Sequence, residues 1–315
     1  MSISIIIPNY NGENLLKKNL PKVFEAAKFY KEKENANIEI IVIDDASTDS
    51  SESIISSFQL LSSRTTSNFK FIQNKKNFGF SPTVNKGVKE AQGEILVLLN
   101  TDISPEKNFL VPLLSHFKDP SIFAVGCMDK SVENKKIVLR GRGIGKWQRG
   151  FLVHTKGEVD KTTTLWVNGG SGAFRKSIWQ KIGGFNELYA PFYWEDIDLS
   201  YRALKSGYKI LFEPKSTVLH EHERGAINIK YSPEEIKTIA YRNQFIFVWV
   251  NASDFNLRIL HVLWLPYHFI KALTRRDLSF FIAFFKALIL IPEIIQSNFK
   301  TQKLFLKKDR EVVLE

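Results

Sequence analysis

ILVLLNTD, residues 95–102, decides the fold. Five aliphatic residues, Ile95 to Leu99, run without a break into Asn100, Thr101 and Asp102. A short apolar run ended by turn formers has the composition of a strand covered on both faces, as in the parallel sheets of α/β proteins. Two earlier runs have the same form. Ser2–Pro8 (SISIIIP) leads into the turn Asn9-Tyr10-Asn11-Gly12, and Ile38–Ile43 (IEIIVI) leads into Asp44-Asp45-Ala46-Ser47. Between them, Glu13 to Lys33 keeps its apolar residues near helical period, with Pro21 a point for a kink. Ser50–Leu61 reads as a second helix with Asp49 as its cap, Phe69–Gln73 as a third strand and Ser81–Gln92 as a third helix. Strands alternating with helices, each strand leaving through a polar cluster, predict right-handed βαβ units in a parallel sheet. Ligands of such open sheets bind beyond the carboxyl ends of the strands. Asp45 and Asp102 stand at those ends. A buried strand needs no carboxylate there to fold, whereas oxygen ligands suit a hard cation holding a diphosphate.

After Asp102 the order loosens. Pro105–Phe117 is predicted helical and Ile122–Cys127 a strand. Ser131–Thr164 is polar, glycine-rich and weakly periodic, and is expected to be a mobile loop. Within it, Gly141–Lys146 (GRGIGK) lacks the spacing, the following Ser/Thr and the strand-to-helix setting of a phosphate loop. Leu165–Arg175 has a strand's composition, and Gly169, Gly170 and Gly172 allow close approach to its backbone. Ile178–Ile182 is a short predicted helix. Asp196–Ser206 is another, stopped by Gly207. Tyr208–Phe212 and Thr217–His220 read as two short strands parted by Pro214. From Tyr231 the pattern becomes helical and aromatic: Glu234–Val250, then the apolar stretches Ile259–Leu273 and Leu278–Ile291. Both stretches are shorter than the roughly 20 residues of a spanning helix, and they contain Lys271 and Lys286. The chain therefore divides into an α/β domain, residues 1–230, and a basic, apolar helical extension, residues 231–315.

Charge supports that division. The net charge is +11, and from Arg258 to Arg310 ten Lys/Arg face three Asp/Glu among Phe, Leu, Ile and Trp. Cations interleaved with apolar residues point to an anionic membrane surface. No nucleic-acid motif accompanies them. Packing on the domain, or in a homodimer interface, is the alternative use of such helices. The single cysteine, Cys127, excludes an internal disulfide. Met1 leads straight into SISIIIP with neither a basic n-region nor a cleavage site, so no signal peptide is expected.

In chain order the motifs are IPNYNG, VIDDASTDSS, NFGFSPTVNKG, LLNTD, GGFNE, EDIDLSYR and a following histidine. Over about residues 3–225 this series resembles the family 2 glycosyltransferases, which have a GT-A fold and invert the anomeric centre. The tail, with RNQFIF and HVLWLP, looks like that of bacterial members that build surface polysaccharide or lipid-linked glycans. The resemblance implies a nucleotide-diphosphate sugar as donor, UDP- or dTDP-linked, and a glycan or lipid-linked acceptor. It implies Mg²⁺ or Mn²⁺ as cofactor and a place on the cytoplasmic face of the plasma membrane.

The resemblance also implies a role for each site residue, motif by motif, as follows. Pro8 and Asn9 border the nucleobase, and Asp45 accepts a hydrogen bond from the ring N–H of uracil or thymine. Asp44 is assigned a structural role. Asn77 and Gly79 border the nucleotide, while Asn85 faces either ligand or core; Lys75 and Lys76 are solvated charges. Asn100-Thr101-Asp102 takes the place of the family's Asp-x-Asp, with Asn100 a departure that removes one negative charge. Asn100 and Thr101 then contact the donor. Asp102 holds the metal together with the donor's diphosphate, and His220, with His222 as its alternative, is the additional ligand. In the Glu195-Asp196 pair, Asp196 is the general base and Glu195 supports it or meets the acceptor. Trp194 stacks on a sugar or packs in the core. A nucleotidyltransferase would need a glycine-rich loop by the first strand, which is missing. A non-catalytic nucleotide-sugar-binding subunit is the rival that Asn100 keeps open.

Overall fold

The computed structural model describes residues 1–62, 68–133, 136–220 and 230–313. Strands β1 (Ser2–Asn9), β2 (Asn37–Asp44), β3 (Asn68–Gln73) and β4 (Ile95–Leu99) lie parallel in the order β3-β2-β1-β4. Their unbroken apolar runs have a direct cause, because alternate residues enter different cores. Ile3, Ile5 and Ile7 pack with Leu16 and Leu20 of α1 (Glu13–Glu34) and Ile55 of α2 (Ser51–Ser62). Ile6, Ile41 and Ile43 pack on the other face with Val84 and Val88 of α3 (Phe80–Glu90). Each such side chain, fully buried, contributes about 1.5–3 kcal/mol. The strand exits are thereby held rigidly side by side.

The second half of the sheet is mixed. β10 (Ser171–Arg175) runs antiparallel between β4 and β6 (Ile122–Glu133), and β11 (Lys209–His220) runs parallel to β6. The short β5 (Ile103–Pro105) and β7 (Lys136–Arg140) pair antiparallel with β11 and β6. Because β5 takes Pro105 into the sheet, the helix predicted from that residue shrinks to α4 (Leu110–Ser115) and a following 3₁₀ turn. The two strands expected on either side of Pro214 are one strand, β11, whose register shifts between Glu213 and Thr217. α5 (Lys176–Lys181) and α6 (Glu195–Lys205) complete the domain's helices.

The larger correction falls on residues 131–164, expected to be a loop. Besides β7, that stretch holds the two-stranded ribbon β8 (Gly143–Gln148) and β9 (Phe151–Lys156). Gln148 pairs with Phe151 across Arg149 and Gly150, which have φ of +50° and +79°. Two central residues with positive φ are what a two-residue hairpin requires. Arg-Gly is a weak form of that turn signal, and the ribbon was hidden by it.

The helix Pro233–Asn251 starts in a capping box formed by Ser232 and Glu235. Its Phe245, Phe247 and Val250 share a core with Phe151 and Leu152 of β9 and with Ile197 and Tyr201 of α6. Helices Phe255–Thr274, Leu278–Ile289 and Ile291–Gln302 follow. Near the end of the chain, buried Asp309 accepts from Tyr201 (2.6 Å), Lys205 (2.7 Å) and the amides of Ser253 (2.8 Å) and Asp254 (2.7 Å). Among the described residues no single helix is long and apolar enough to cross a membrane; Leu278–Ile289 and Ile291–Gln302 reach that length only as a pair, bent by 69°.

Candidate active site

The exits of β1, β2, β4 and β11 and the start of α6 line one cavity of about 600 Å³. Among the described residues, all those proposed above for donor, metal, acceptor or base, from Pro8 and Asn9 to Asp196 and His220, line it except the alternative Asn85.

On the nucleotide side, the Asp45 carboxylate accepts from Asn74 Nδ2 (2.7 Å) and from the amides of Phe78 (3.0 Å) and Gly79 (2.8 Å). Those bonds fasten the Asn77–Gly79 loop to the end of β2. Three donors leave a carboxylate with about one acceptor position to spare. Gly79 has φ +92°, and a Cβ there would lie 3.2 Å from Pro191 Cα, so two distant loops meet at this glycine. Asp44 accepts from Asn9 Nδ2 (2.7 Å) and the Ser47 amide (3.0 Å), a structural clasp across the strand ends. Asp49 accepts from the amides of Ser51 (3.0 Å) and Glu13 (2.9 Å), capping two helices at once. Asn85 turns to the core. Its amide donates to Phe185 O (2.9 Å) and accepts from Phe185 N (3.1 Å), holding the turn at Gly183 and Gly184.

Asp102 and His220 meet across the cavity floor, with Asp102 Oδ2 3.2 Å from His220 Nε2. His220 Nδ1 is 2.8 Å from Asp129 Oδ2. Burial opposes a charge on the ring, but hydrogen bonds to Asp102 and Asp129 outweigh it and raise the His220 pKa to about 9. The remaining oxygens, Asp102 Oδ1 and Asn100 Oδ1, are buried with no hydrogen-bond partner. A buried orphan oxygen is costly unless something else satisfies it. An imidazole with its far nitrogen on a carboxylate, beside bare oxygens, fits a divalent cation. Among the described residues no three His, Cys, Asp or Glu side chains are grouped to hold one unaided, so this donor set fits a cation that arrives with phosphate oxygens. His222 lies outside the described residues.

The opposite wall begins with an unusual turn. Tyr193 and Trp194 have φ of +71° and +75°, a region bulky residues rarely adopt and that costs of order 1–3 kcal/mol each. The helix Pro233–Asn251 holds it there. Asn243, fully buried, donates from Nδ2 to the carbonyls of Tyr189, Phe192 and Tyr193, each at 2.9 Å, and Arg242 donates to Ala190 O. The turn delivers Glu195 and Asp196 to the cavity. Burial lifts the Asp196 pKa to about 6, against the hydrogen bonds it accepts from the amides of Ile197 (2.8 Å) and Gly169. Glu195 is pushed well above the usual carboxylate range by burial and by the Asp196 charge, and its Oε2 has no partner. Burial therefore raises both carboxyls, and the Asp196 charge raises Glu195 further.

Residues 4–183 match the model of glycosyl transferase family 2. The chain belongs to that family. This family 2 member is 26% identical over 228 residues to an O-antigen chain rhamnosyltransferase of Salmonella anatum, covering 70% of this chain and 66% of that one. It thus spans just under two thirds of that relative's length. It superposes on the S. aureus TarS 1-349 complex with UDP-GlcNAc with a TM-score of 0.59 at 19% identity, over 97% of this chain and 84% of that one. It superposes on a mannosyltransferase of Pyrobaculum calidifontis, solved with GDP-Man and Mn²⁺, with a TM-score of 0.57 at 16% identity, over 96% and 84% of the two chains. These likenesses establish the GT-A fold.

In this family 2 member the cavity also holds residues that the motifs do not mark. His154 of β9 stands edge-on to Trp166 (5.0–5.3 Å between ring centroids here and next) and to Trp194, and burial lowers its pKa, leaving a neutral ring. Trp194, 6% exposed, also packs on Phe247, so it is a core residue with one face to the cavity. Lys230 and Tyr231 line the side near Tyr10, with the Lys230 ammonium 4.7 Å from the Tyr10 ring centre. The strand alternation Phe151-Leu152-Val153-His154 was the available signal for His154. Asp129 and Asn243 gave none, because their partners are 91 and about 50 residues away.

Proposed function

We propose that this protein transfers a sugar from a nucleoside-diphosphate donor, UDP- or dTDP-linked, to a hydroxyl of a glycan or lipid-linked acceptor, with inversion. One observation carries the reading: Asp45, Asp102 and Asp196 share a single cavity, and burial raises the Asp196 carboxyl there to about 6. Asp45 offers its spare acceptor position to a pyrimidine ring N–H, a charge-assisted bond that discriminates among bases. Asn100 and Thr101 contact the donor's ribose and phosphates. Asp102 and His220 hold the cation, with Asp129 fixing the imidazole. A bound Mg²⁺ or Mn²⁺ supplies Lewis-acid stabilisation of the charge that gathers on the departing diphosphate.

Asp196 takes the proton from the acceptor hydroxyl as its oxygen bonds to the anomeric carbon from the side opposite the diphosphate. The carbon–oxygen bond to the diphosphate breaks, and nucleoside diphosphate leaves. Trp166, Trp194 and His154 form the acceptor wall. Residues 231–315 hold the enzyme at the cytoplasmic face of the plasma membrane, where a surface-polysaccharide acceptor is presented. The O-antigen chain rhamnosyltransferase of Salmonella anatum, to which this chain is similar, supports that acceptor class.

Asn100, in place of a first carboxylate, favours one second reading: a non-catalytic nucleotide-sugar-binding subunit of a glycan-assembly complex. A donor panel read by nucleoside-diphosphate release, with and without Mg²⁺ or Mn²⁺, separates the two. The transferase reading expects metal-dependent release from a uridine or thymidine donor. Donor binding with no release over a broad acceptor panel would establish the second.

A further inference from the structure

A second cavity, of about 290 Å³, lies between the tip of the β8–β9 ribbon and the helix Phe255–Thr274. Its charged lining is Arg149, Lys271, Arg275 and Asp277. The Asp277 carboxylate is already engaged, 2.7 Å from Lys237 Nζ and accepting from the Tyr241 hydroxyl (3.1 Å). Arg149, Lys271 and Arg275 have no carboxylate partner among the described residues. The remaining polar wall is Gln148, Tyr241, Gln244, Tyr267 and His268.

The cavity is a built structure. His261 Nδ1 is 2.8 Å from Gly150 O, and His268 Nε2 is 2.8 Å from Arg149 O. A Cβ on Gly150 would lie 2.5 Å from His261 Cα, so the hairpin tip sits directly on the helix backbone. The Arg149 guanidinium donates to the Tyr267 hydroxyl and lies 4.7 Å from the Tyr267 ring centre and 5.5 Å from that of Trp264. The ribbon is also the partition between the two cavities. Phe151 and Val153 line this one, and His154 lines the active site.

Beside this cationic hollow the helix presents bare hydrocarbon. Only His261 and Ala272 of Phe255–Thr274 are buried, and Val262, Leu263, Ile270 and Leu273 are each 63–69% exposed. Leu278, Phe285 and Ile289 extend the apolar face at 61–76% exposure. Large apolar side chains exposed together in this way mark an interaction site. Unpaired cations next to exposed apolar residues match one occupant in charge and in hydrophobicity, a bilayer of anionic lipid.

We propose that the second cavity seats the phosphate of an anionic membrane lipid, whose hydrocarbon lies along the apolar face of the Phe255–Thr274 helix. This deepens the membrane contact proposed above and is independent of the transfer chemistry. The guanidinium and ammonium groups of Arg149, Lys271 and Arg275 hold the phosphate by charge-assisted hydrogen bonds. A headgroup there presses on the ribbon that carries His154, so membrane docking and the acceptor wall share one element.

The test is co-sedimentation of the full chain with vesicles of phosphatidylcholine alone and of phosphatidylcholine with phosphatidylglycerol. Binding to the anionic vesicles should exceed that to the neutral ones by at least tenfold. Lys271→Gln and Arg275→Gln should each weaken it by about fivefold, the order expected for one basic residue at an anionic surface. Arg276→Gln and Lys286→Gln, outside the cavity, should cost at most half as much on a logarithmic scale. Equal losses in the two pairs would make the attraction diffuse, and would overturn the cavity assignment while leaving the membrane contact standing. No binding to either vesicle would remove both, with transfer to a soluble acceptor still measurable. Inorganic phosphate binding the lipid-free chain with the same dependence on Lys271 and Arg275 would assign the cavity to a soluble phosphate instead. A stable dimer in solution that buries Leu263 would assign the apolar face to a second copy.

Discussion

The two walls of the active site are built on opposite plans. The nucleotide wall comes from strand exits that are neighbours in the sheet, and its key side chain, Asp45, is held by amides of the loop it faces. The proposed acceptor wall comes from β9, the Tyr193–Trp194 turn and a helix some 50 residues further on. One wall is rigid because its backbone is regular. The other is strained and stays in place only because Asn243 and Arg242 hold its carbonyls. Donor binding and catalysis should therefore respond to different mutations.

Asp196→Asn is the most severe break. It removes the proposed base while keeping size and hydrogen-bonding capacity, so kcat should fall by about 10³-fold. Nucleotide affinity, measured by calorimetry, should be unchanged; turnover within tenfold of the wild type would end the assignment of Asp196. Asn243→Ala leaves the chemistry intact but releases the turn that aims Asp196. A misplacement of about 1 Å costs on the order of 10²-fold in rate. The loss should appear in kcat with the nucleotide Kd steady, and a matching loss of nucleotide affinity would mean that the two walls are not independent.

Asp45→Asn sharpens the comparison from the other side. Weakening a charged acceptor costs roughly 1.5 kcal/mol, about tenfold in nucleotide Kd. At saturating donor, kcat should hardly move. The mildest probe is pH. Because burial raises Asp196 to about 6, its carboxyl is protonated below that value and cannot accept a proton. Activity should thus rise with pH up to about 6 and level off above it, falling about tenfold per unit on the acid side. A wild-type profile still flat at pH 5 would place the base elsewhere.

The sequence reached furthest where cause and effect are close along the chain. The aliphatic runs of β1, β2 and β4, and the polar residues at their exits, are adjacent in sequence and in space, so the parallel half of the sheet and the positions of Asp45 and Asp102 could be read directly. The Glu195-Asp196 pair could be read as well, since the helix it opens has a clear period. Asn85 illustrates the limit within a legible motif. Its position on α3 was plain, yet whether it faced ligand or core depended on the Phe185 backbone a hundred residues away.

What the sequence by itself determined was the local periodicity: which segments are strands or helices, and which carboxylates stand at their ends. Only the tertiary structure decided that 131–164 pairs into strands, that Asp129 backs His220, and that Asn243 holds the Tyr193–Trp194 turn. The physical reason is that a period of two or 3.6 is written in neighbouring residues. A buried hydrogen bond or a strand pairing instead chooses its partner from the whole chain, by shape and by the cost of leaving a polar group unpaired.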